Sequence, residues 1–378
     1  MQHACFVIND FNFLLSHRLD LLIGLSKKID ITVICSIKDN QRNKIHYIKN
    51  QNISLIEVQS RKNIFDSFRY AKDLLNCIKP RFTHIFFITL EQSFFGSLLA
   101  SKITNTKLFF VISGLGNNFF QKDLGSRIKN RFQNLVLSSA FKKKSIEAVI
   151  FQNKDDIIDF KKQVQVFSTN CVLIRGNGID LNNFSYDERS FERINFCYTG
   201  RLVKSKGLEE LVNSFIKLSK KYNDLNPGLI ICGIYDPNEK DLVSNNTLSK
   251  IKTLKNIFYY KNLNHHEVID ILRNASVFVL PSMREGISKA ALEGASTGLP
   301  LIAANTPGTR DVVQHNINGL HYEITDNNGL MKAMEKIIHM SKENLIDLGK
   351  ASRSYVRKNF AINIIVDEYL KLILNNKN

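Results

Sequence analysis

Residues 279–300 read Val-Leu-Pro-Ser-Met-Arg-Glu-Gly-Ile-Ser-Lys-Ala-Ala-Leu-Glu-Gly-Ala-Ser-Thr-Gly-Leu-Pro. The pattern predicts a strand that runs to Leu280 and is broken by Pro281, because proline cannot donate a hydrogen bond to a sheet. Ser288 is a good helix cap, so a helix is expected over Lys289–Ser296. A strand, a loop and a helix in this order are typical of a parallel sheet covered by helices.

The same alternation extends along the rest of the chain in two series of predicted strands. The first series comprises Ala4–Ile8, Asp30–Cys35, Ser54–Val58, His84–Ile88, Lys107–Ile112 and Ala148–Phe151. The second comprises Ile194–Thr199, Gly228–Gly233, Ile257–Tyr260, Val277–Pro281 and Pro300–Ala303. Two doubly wound α/β domains are therefore expected, with the ligand in a cleft between them.

A Gly/Asn turn at Gly176–Asp180 marks the predicted junction between these domains. The expected division is residues 1–175, residues 176–355 and a C-terminal segment, 356–378. The last segment carries a predicted helix over Ile362–Leu374 and is expected to cross back to the N-terminal domain.

Composition and charge narrow the class of protein. The chain has 378 residues, which exceeds one ordinary domain, and a formal net charge of +17. Residues 1–180 account for +12 of this charge and residues 181–378 for +5. A basic first half indicates an anionic partner, a membrane surface or a nucleic acid, and the alternative is compositional bias without a partner.

Cysteine spacing and hydropathy suggest the cellular setting. The six cysteines are scattered without a C-x-x-C pair, which argues against a zinc or redox motif. The N-terminus reads as a first core strand rather than a secretion signal, and no long uncharged apolar run is present. A cytoplasmic protein is expected, with a peripheral position on the inner face of the cell membrane as the second option.

A second motif, at residues 198–208, reads Tyr-Thr-Gly-Arg-Leu-Val-Lys-Ser-Lys-Gly-Leu. A strand is expected to end at Gly200, followed by a turn that carries Arg201 and Lys206 and by a helix over Leu208–Leu218. Arginine clamps a phosphate with two hydrogen bonds and lysine acts as a point charge, so the pair suits a diphosphate. The alternative is an ordinary basic loop.

The motif at 279–300 has groups suited to bind a diphosphate and the hydroxyls of a sugar and a ribose attached to it. Backbone N–H groups at the helix start, near Gly286 to Lys289, form an anion site. Glu285 and Glu293 are suited to hold two sets of hydroxyls, one on a sugar and one on a ribose, because a carboxylate accepts several hydrogen bonds. The alternative is that Glu285 only complements the helix dipole and Glu293 is a solvated surface residue.

These two motifs resemble those of glycosyltransferase family 4, retaining enzymes of GT-B fold. Glu285 and Glu293 match its E-x7-E pattern, and its glycine–arginine and lysine–glycine pairs are met by Gly200, Arg201, Lys206 and Gly207, which here read G-R-x4-K-G. In the family the first acid contacts the donor sugar and the second the nucleotide ribose. The resemblance is convincing from Val172 to Phe360, looser before it, and closest to bacterial envelope-polysaccharide enzymes.

The resemblance implies transfer of a hexose or N-acetylhexosamine from a nucleotide diphosphate sugar, UDP-linked by family frequency, in O-antigen or capsule synthesis. It makes residues 1–175 the acceptor-side domain and 176–355 the nucleotide-sugar-binding domain. The expected catalytic residues are Glu285, Arg201 and Lys206. The expected donor-binding residues are Glu293, Gly286, Ile287, Ser288, Lys289, Gly200 and Gly114.

The N-terminal half departs from the family pattern in two places. The loop Asn9–His17 has no glycine, so His17 and Arg18 are assigned to the acceptor instead. Residues 112–118 carry Gly114 and Asn117, the latter also an acceptor candidate, but no titratable group where the family has a histidine. The leaving diphosphate is then expected to take the acceptor's proton. The scheme needs no metal ion or other cofactor, and no D-x-D pair is present.

Segment Arg127–Lys144 predicts an amphipathic helix with a basic face, suited to an anionic leaflet. If it binds a membrane, a polyprenyl-diphosphate-linked acceptor is expected. The alternative is a core-facing stripe with a solvated charged face. Rival functions are a nucleotide-sugar epimerase, a phosphorylase or another GT-B enzyme, and, from charge alone, a nucleic-acid-binding protein, for which no motif is present.

Overall fold

The computed structural model describes residues 2–60, 64–116, 124–141, 143, 145–164, 170–186 and 191–374. The chain divides into two compact units. The N-terminal domain comprises Met1–Gly178 together with Ile362–Asn378, and the C-terminal domain comprises Ile179–Ala361. The second boundary lies at 361/362 rather than 355/356, because a helix of the C-terminal domain continues to Asn359.

The N-terminal domain is built on one parallel sheet. Its described strands are β1 (His3–Asp10), β2 (Asp30–Ser36), β3 (Ile53–Glu57), β4 (His84–Ile88), β5 (Lys107–Ile112), β6 (Ile146–Phe151) and β7 (Cys171–Leu173). They are ordered β3-β2-β1-β4-β5-β6-β7. All five residues of β4 are buried, as expected for a strand covered on both faces.

Helices cover both faces of this sheet. They are α1 (Phe11–Phe13), α2 (Leu19–Ser26), α3 (Ile45–Lys49), α4 (Ile64–Cys77), α5 (Leu90–Leu99), α6 (Leu124–Ala140) and α7 (Lys154–Val164). A π-helical turn, Leu14–Arg18, joins α1 to α2. The predicted strands of this half are confirmed, and β4 and β5 have the predicted bounds.

The C-terminal domain has the same design. Its described strands are β8 (Asn195–Arg201), β9 (Gly228–Ile234), β10 (Ile257–Lys261), β11 (Val277–Leu280), β12 (Leu301–Ala304) and β13 (Gly319–Tyr322). Their order is β10-β9-β8-β11-β12-β13, and each neighbouring pair is parallel. The helices are α8 (Leu208–Lys221), α9 (Asn245–Thr253), α10 (His265–Asn274), α11 (Lys289–Ser296), α12 (Gly329–Ile338) and α13 (Lys342–Asn359).

The last helix, α14 (Ile362–Leu374), has the predicted bounds. Its buried residues Ile365, Val366, Tyr369 and Ile373 pack into the core of the N-terminal domain. Their spacing of one, three and four positions places them on one face of the helix, which explains why this segment belongs to that domain.

The predicted basic helix in 127–144 is α6. Its described inner side chains include Leu137 and Ala140, which are buried. Its described outer face carries Arg131 beside two exposed apolar side chains, Phe132 (59% exposed) and Leu135 (63%). The side chains before position 130, and residues 142 and 144, lie outside the described residues. The described outer face is therefore part basic and part apolar. No helix in the described ranges is both long and apolar enough to cross a membrane.

His84 on β4 gives the N-terminal domain a pH-dependent stability. Burial lowers the pKa of His84 from 6.5 to about 4, with Lys107 adding to the effect. Its stabilising contribution is complete above pH 6.5 and is lost as the pH falls toward 4, because only the unfolded chain takes up the proton. Between pH 7.5 and 4.5 we expect a loss of about 2 kcal/mol in the free energy of unfolding.

The measurement is urea unfolding at both pH values for the wild type and His84→Phe. Phenylalanine keeps the ring that packs on Phe109, at 5.9 Å between centroids, and removes the titration. The variant should lose about 2 kcal/mol less than the wild type over this pH interval. Equal losses would show that His84 does not titrate in this window.

Candidate donor site

The two sequence motifs lie at one edge of the C-terminal sheet. Strands β8 and β11 are parallel neighbours, although 76 residues separate Arg201 from Val277. The connections leave these two strands toward opposite ends of the sheet order, so a crevice opens at their carboxyl ends. The loops 201–207 and 281–288 both begin at this crevice. The strand order therefore brings the motifs together.

Lys206 and Glu285 form the direct contact between the motifs. Lys206 Nζ donates to Glu285 Oε1 at 2.6 Å, and the side chains are 26% and 11% exposed. The loop backbones are also joined, since Met283 N–H donates to the carbonyl oxygen of Ser205 at 3.0 Å. A half-buried ion pair at the end of two strands places a cation and a carboxylate side by side.

Two glycines allow the loops to approach this closely. Gly207 has a φ of 72°, and a Cβ there would collide with the carbonyl oxygen of Pro281. Gly308, with a φ of 79°, lies against the carbonyl oxygens of Glu285 and Gly286 in the same way. The Glu285 backbone is held from this side as well, because its N–H donates to the carbonyl oxygen of Pro307 at 3.0 Å.

Gly308→Ala is expected to destabilise the C-terminal domain by about 1–2 kcal/mol more than Gly298→Ala. Gly298 has a matching φ of 81°, but a Cβ there meets the Tyr186 side chain, which can move, whereas Gly308 meets backbone. Denaturant unfolding of both variants measures the difference. Equal losses would mean that the 285–286 loop yields to the added methyl group.

Arg201 is paired with an acid that the sequence analysis did not find. Arg201 Nη1 donates to Glu239 Oε1 at 2.5 Å, on the exposed side of the edge. Its carbonyl oxygen accepts from the Tyr198 hydroxyl at 2.7 Å. Burial, together with the charge of Glu285, raises the pKa of Tyr198, so the phenol stays protonated and can donate. Glu239 follows β9, the strand beside β8, and loops after adjacent parallel strands meet at one edge.

Glu293 is buried, and the alternative of a solvated surface residue is wrong. It is 7% exposed, in a helix whose first turn is capped by Ser288, which accepts from Ala291 N–H. Glu293 Oε1 lies 2.9 Å from His265 Nε2 and 3.8 Å from Lys289 Nζ. A buried carboxylate facing two nitrogen groups is held in one orientation.

His265 is a second residue that the sequence analysis missed. It is the first residue of α10, where Asn264 and Glu267 form a reciprocal capping box. The Asn-His-His-Glu run predicts this helix start from sequence alone. That the start faces Glu293 follows from the packing of α10 beside α11, which sequence does not show.

The remaining donor-binding residues fall into two places. Gly200 is the second-last residue of β8, and Gly286, Ile287 and Ser288 precede α11, so the structure collects them at the carboxyl edge of the C-terminal sheet. Gly114 follows β5 in the N-terminal domain and has a φ of 142°.

The predicted acceptor residues differ from one another in exposure. His17 is exposed and stacks on Phe13, at 4.8 Å between ring centroids. Arg18 was predicted to face the acceptor, but it is 1% exposed and therefore a buried residue. Asn117 lies outside the described residues.

The edge combines three cations, Arg201, Lys206 and Lys289, with three carboxylates, Glu239, Glu285 and Glu293. Lys289 is the first residue of α11, where the helix dipole adds positive potential. Glu285 and Glu293 offer oxygens that accept hydrogen bonds from hydroxyls. This set suits a ligand that has both phosphates and a sugar. Within the described ranges, no group of three or more His, Cys, Asp and Glu side chains is placed to hold a metal ion.

Solved structures of other proteins show that this architecture is a known fold. Sucrose-phosphate synthase from Thermosynechococcus elongatus has a TM-score of 0.79 at 16% identity and covers 98% of each chain. HepE from Anabaena, solved with UDP and glucose, has a TM-score of 0.77 at 14% identity over 100% of both chains. The predicted GT-B fold, with two doubly wound Rossmann-like domains, is confirmed.

The sequence comparisons narrow this class. Residues 187–355 match the family model described as glycosyl transferases group 1. The capsular polysaccharide biosynthesis glycosyltransferase CapM of Staphylococcus aureus is 30% identical over 203 residues, which is 51% of this chain and 51% of that relative. The match thus spans about half the length of that relative. The family match and this relative support a GT-B glycosyltransferase.

A further relative carries a more specific name. The UDP-Gal:alpha-D-GlcNAc-diphosphoundecaprenol alpha-1,3-galactosyltransferase of Escherichia coli is 31% identical over 114 residues, 29% of each chain. Its name joins a UDP-linked donor to an acceptor carried on a lipid diphosphate.

Proposed function

We propose that this chain transfers a hexose or N-acetylhexosamine, with retention, from a UDP-linked sugar to a lipid-diphosphate-linked glycan in cell-surface polysaccharide synthesis. The observation that carries the proposal is the Lys206–Glu285 contact, which unites a phosphate-binding cation and a sugar-binding acid at one strand edge. The match to glycosyl transferases group 1 over 187–355 contains both residues. CapM and the E. coli galactosyltransferase support the polysaccharide setting.

In the proposed mechanism, the C-terminal domain binds the donor molecule at its ribose and at its sugar. Glu293 accepts hydrogen bonds from the ribose hydroxyls and Glu285 accepts them from the sugar. When the donor binds, Arg201 donates to the diphosphate oxygens in place of part of its contact with Glu239. Lys206 does the same in place of part of its contact with Glu285. Their charges, with the N-terminus of α11, stabilise the diphosphate as the bond to the sugar breaks.

Retention follows a front-face route in this proposal. The acceptor hydroxyl attacks the anomeric carbon from the side of the leaving diphosphate, and the diphosphate oxygen takes the hydroxyl proton. The protein then needs no titratable base. It acts by positioning both reactants and by stabilising the phosphate charge, and the positive charges of Arg201 and Lys206 replace a metal ion.

The proposed acceptor places the N-terminal domain against the inner face of the cell membrane. Phe132 and Leu135, exposed beside Arg131 on α6, have the mixture of apolar and cationic groups that binds an anionic interface. Flotation with phosphatidylglycerol vesicles should recover the protein, and phosphatidylcholine vesicles should recover less. Equal recovery from both would count against an electrostatic contribution.

A ligand panel followed by product analysis tests the transfer itself. Thermal unfolding is measured with UDP, GDP, ADP and their common sugar conjugates, and UDP compounds should raise Tm by several degrees. Incubation of the stabilising conjugate with a polyprenyl-diphosphate-linked N-acetylglucosamine should then add one sugar mass. Retention appears as the anomeric configuration of the product by NMR. Stabilisation by no nucleotide would overturn the donor site.

A further inference from the structure

Arg18 is a buried cation that the proposed transfer does not use. It ends the π-helical turn after β1 and is 1% exposed. Nη2 donates to Ser113 Oγ at 2.7 Å, and Nη1 lies 3.4 Å from the Tyr369 hydroxyl. Nε is buried without a hydrogen-bond partner in the described part of the chain. A guanidinium has five N–H donors, so much of its capacity is unused.

Among the described residues, Arg18 has no acidic partner. Its contacts are two hydroxyls, and no carboxylate of the described residues lies within ion-pair distance. Burial lowers the pKa of Arg18, and Tyr369 acts in the other direction. Burial raises the pKa of Glu368, the residue before Tyr369 on α14, and the charges of Lys371 and Arg175 act in the other direction. Arginine stays protonated even so, and an unpaired buried charge costs several kcal/mol unless an anion offsets it.

Ser113 lies between the buried Arg18 guanidinium, from which it accepts a hydrogen bond, and the solvent. It follows the last residue of β5, is half-buried, and precedes Gly114, so it lies at the carboxyl edge of the N-terminal sheet. Its oxygen accepts from Arg18 Nη2, so the hydroxyl keeps its own proton for donation to a second group.

We propose that Ser113, backed by the buried Arg18, forms the binding site for a phosphate group of the acceptor. Ser113 donates its hydroxyl proton to a phosphate oxygen, and the buried guanidinium supplies an attractive potential through a low-dielectric interior. Arg18 is a positioning residue here, because it acts through Ser113. This inference rests on the proposed function, since it assigns the acceptor's anionic group to one residue of the N-terminal domain.

The test introduces a thiol by Ser113→Cys and follows its alkylation by iodoacetamide, with the peptide identified by mass spectrometry. A cation at this distance stabilises the thiolate, so the midpoint of the alkylation pH profile should lie about one unit below the ordinary value near 8.5. Adding Arg18→Met should restore the ordinary midpoint, and Arg18→Lys should keep it low. An ordinary midpoint in the single variant would overturn the proposal.

Protection of the thiol tests the ligand without any Arg18 variant. At a pH below the midpoint, where the thiol is protonated and can donate as the Ser113 hydroxyl does, about 10 mM methyl diphosphate should slow alkylation of Ser113→Cys several-fold, because the bound anion disfavours the reactive thiolate. The same slowing is expected when Lys206→Met is also present. Protection by UDP alone, abolished by Lys206→Met, would assign the anion to the donor and overturn the acceptor assignment. Absence of any protection would also overturn it.

The experiments distinguish failure of the proposed phosphate site from failure of the proposed transferase function. If UDP compounds stabilise the protein but methyl diphosphate does not protect the thiol, the phosphate site is wrong and the donor site stands. If methyl diphosphate protects but no nucleotide stabilises, the proposed function is wrong and the anion site remains. Thermal unfolding of each variant without ligand shows whether it is folded.

Discussion

Replacing Lys206 with methionine is expected to lower kcat by about 10²- to 10³-fold, with a smaller change in KM. The lysine charge lies at the carboxyl end of β8, 2.6 Å from Glu285, where the diphosphate is proposed to leave. Charge on the leaving group grows in the transition state, so a fixed cation contributes more there than in the bound ground state. Methionine keeps the length of the side chain and removes its charge.

The measurement is the initial rate of UDP release during transfer. Lys332→Met is the matched control, because Lys332 also pairs with an acid, Asp326 at 2.8 Å, but on the surface of α12. The control should retain the wild-type rate. A Lys206→Met enzyme with unchanged kcat and a raised KM would show that the lysine contributes only uniform binding.

Replacing Glu293 with glutamine is expected to weaken UDP binding by roughly 10- to 100-fold, the loss of 1.5–3 kcal/mol for hydrogen bonds to a charged group. The carboxylate is 7% exposed and is held by His265 at 2.9 Å, so its direction is defined before ligand binds. The ribose is distant from the bond that breaks. The change should therefore appear in Kd and KM more than in kcat.

Isothermal titration with UDP measures this change. Glu335→Gln is the control, since Glu335 is also paired with a lysine, Lys221 at 2.5 Å, on α12 of the same domain. It should bind UDP as the wild type does. If Glu293→Gln binds UDP with unchanged affinity, the assignment of Glu293 to the ribose hydroxyls is wrong, and only the diphosphate and sugar contacts of the donor site remain proposed.

Sequence patterns predicted most of the fold, because each is a local consequence of covalent structure. Proline after Leu280 and a serine cap at 288 define a strand end and a helix start over Lys289–Ser296, and α11 has those bounds. Apolar runs such as His84–Ile88 are buried on both faces, and the parallel sheets follow from their alternation with helices. The motif spacing also indicated the class of enzyme, to which the comparisons lend support.

The structure alone showed which side chains meet. Lys206 and Glu285 are 79 positions apart, and their contact depends on β8 lying beside β11, an order that no local pattern encodes. Glu239 and His265 join the edge for the same reason. Arg18, predicted to meet the acceptor, is instead buried behind Ser113. Sequence determines local structure through short-range sterics and hydrogen bonding. Strand order and burial depend on the packing of the whole chain, so only the tertiary structure decided the composition of the sites.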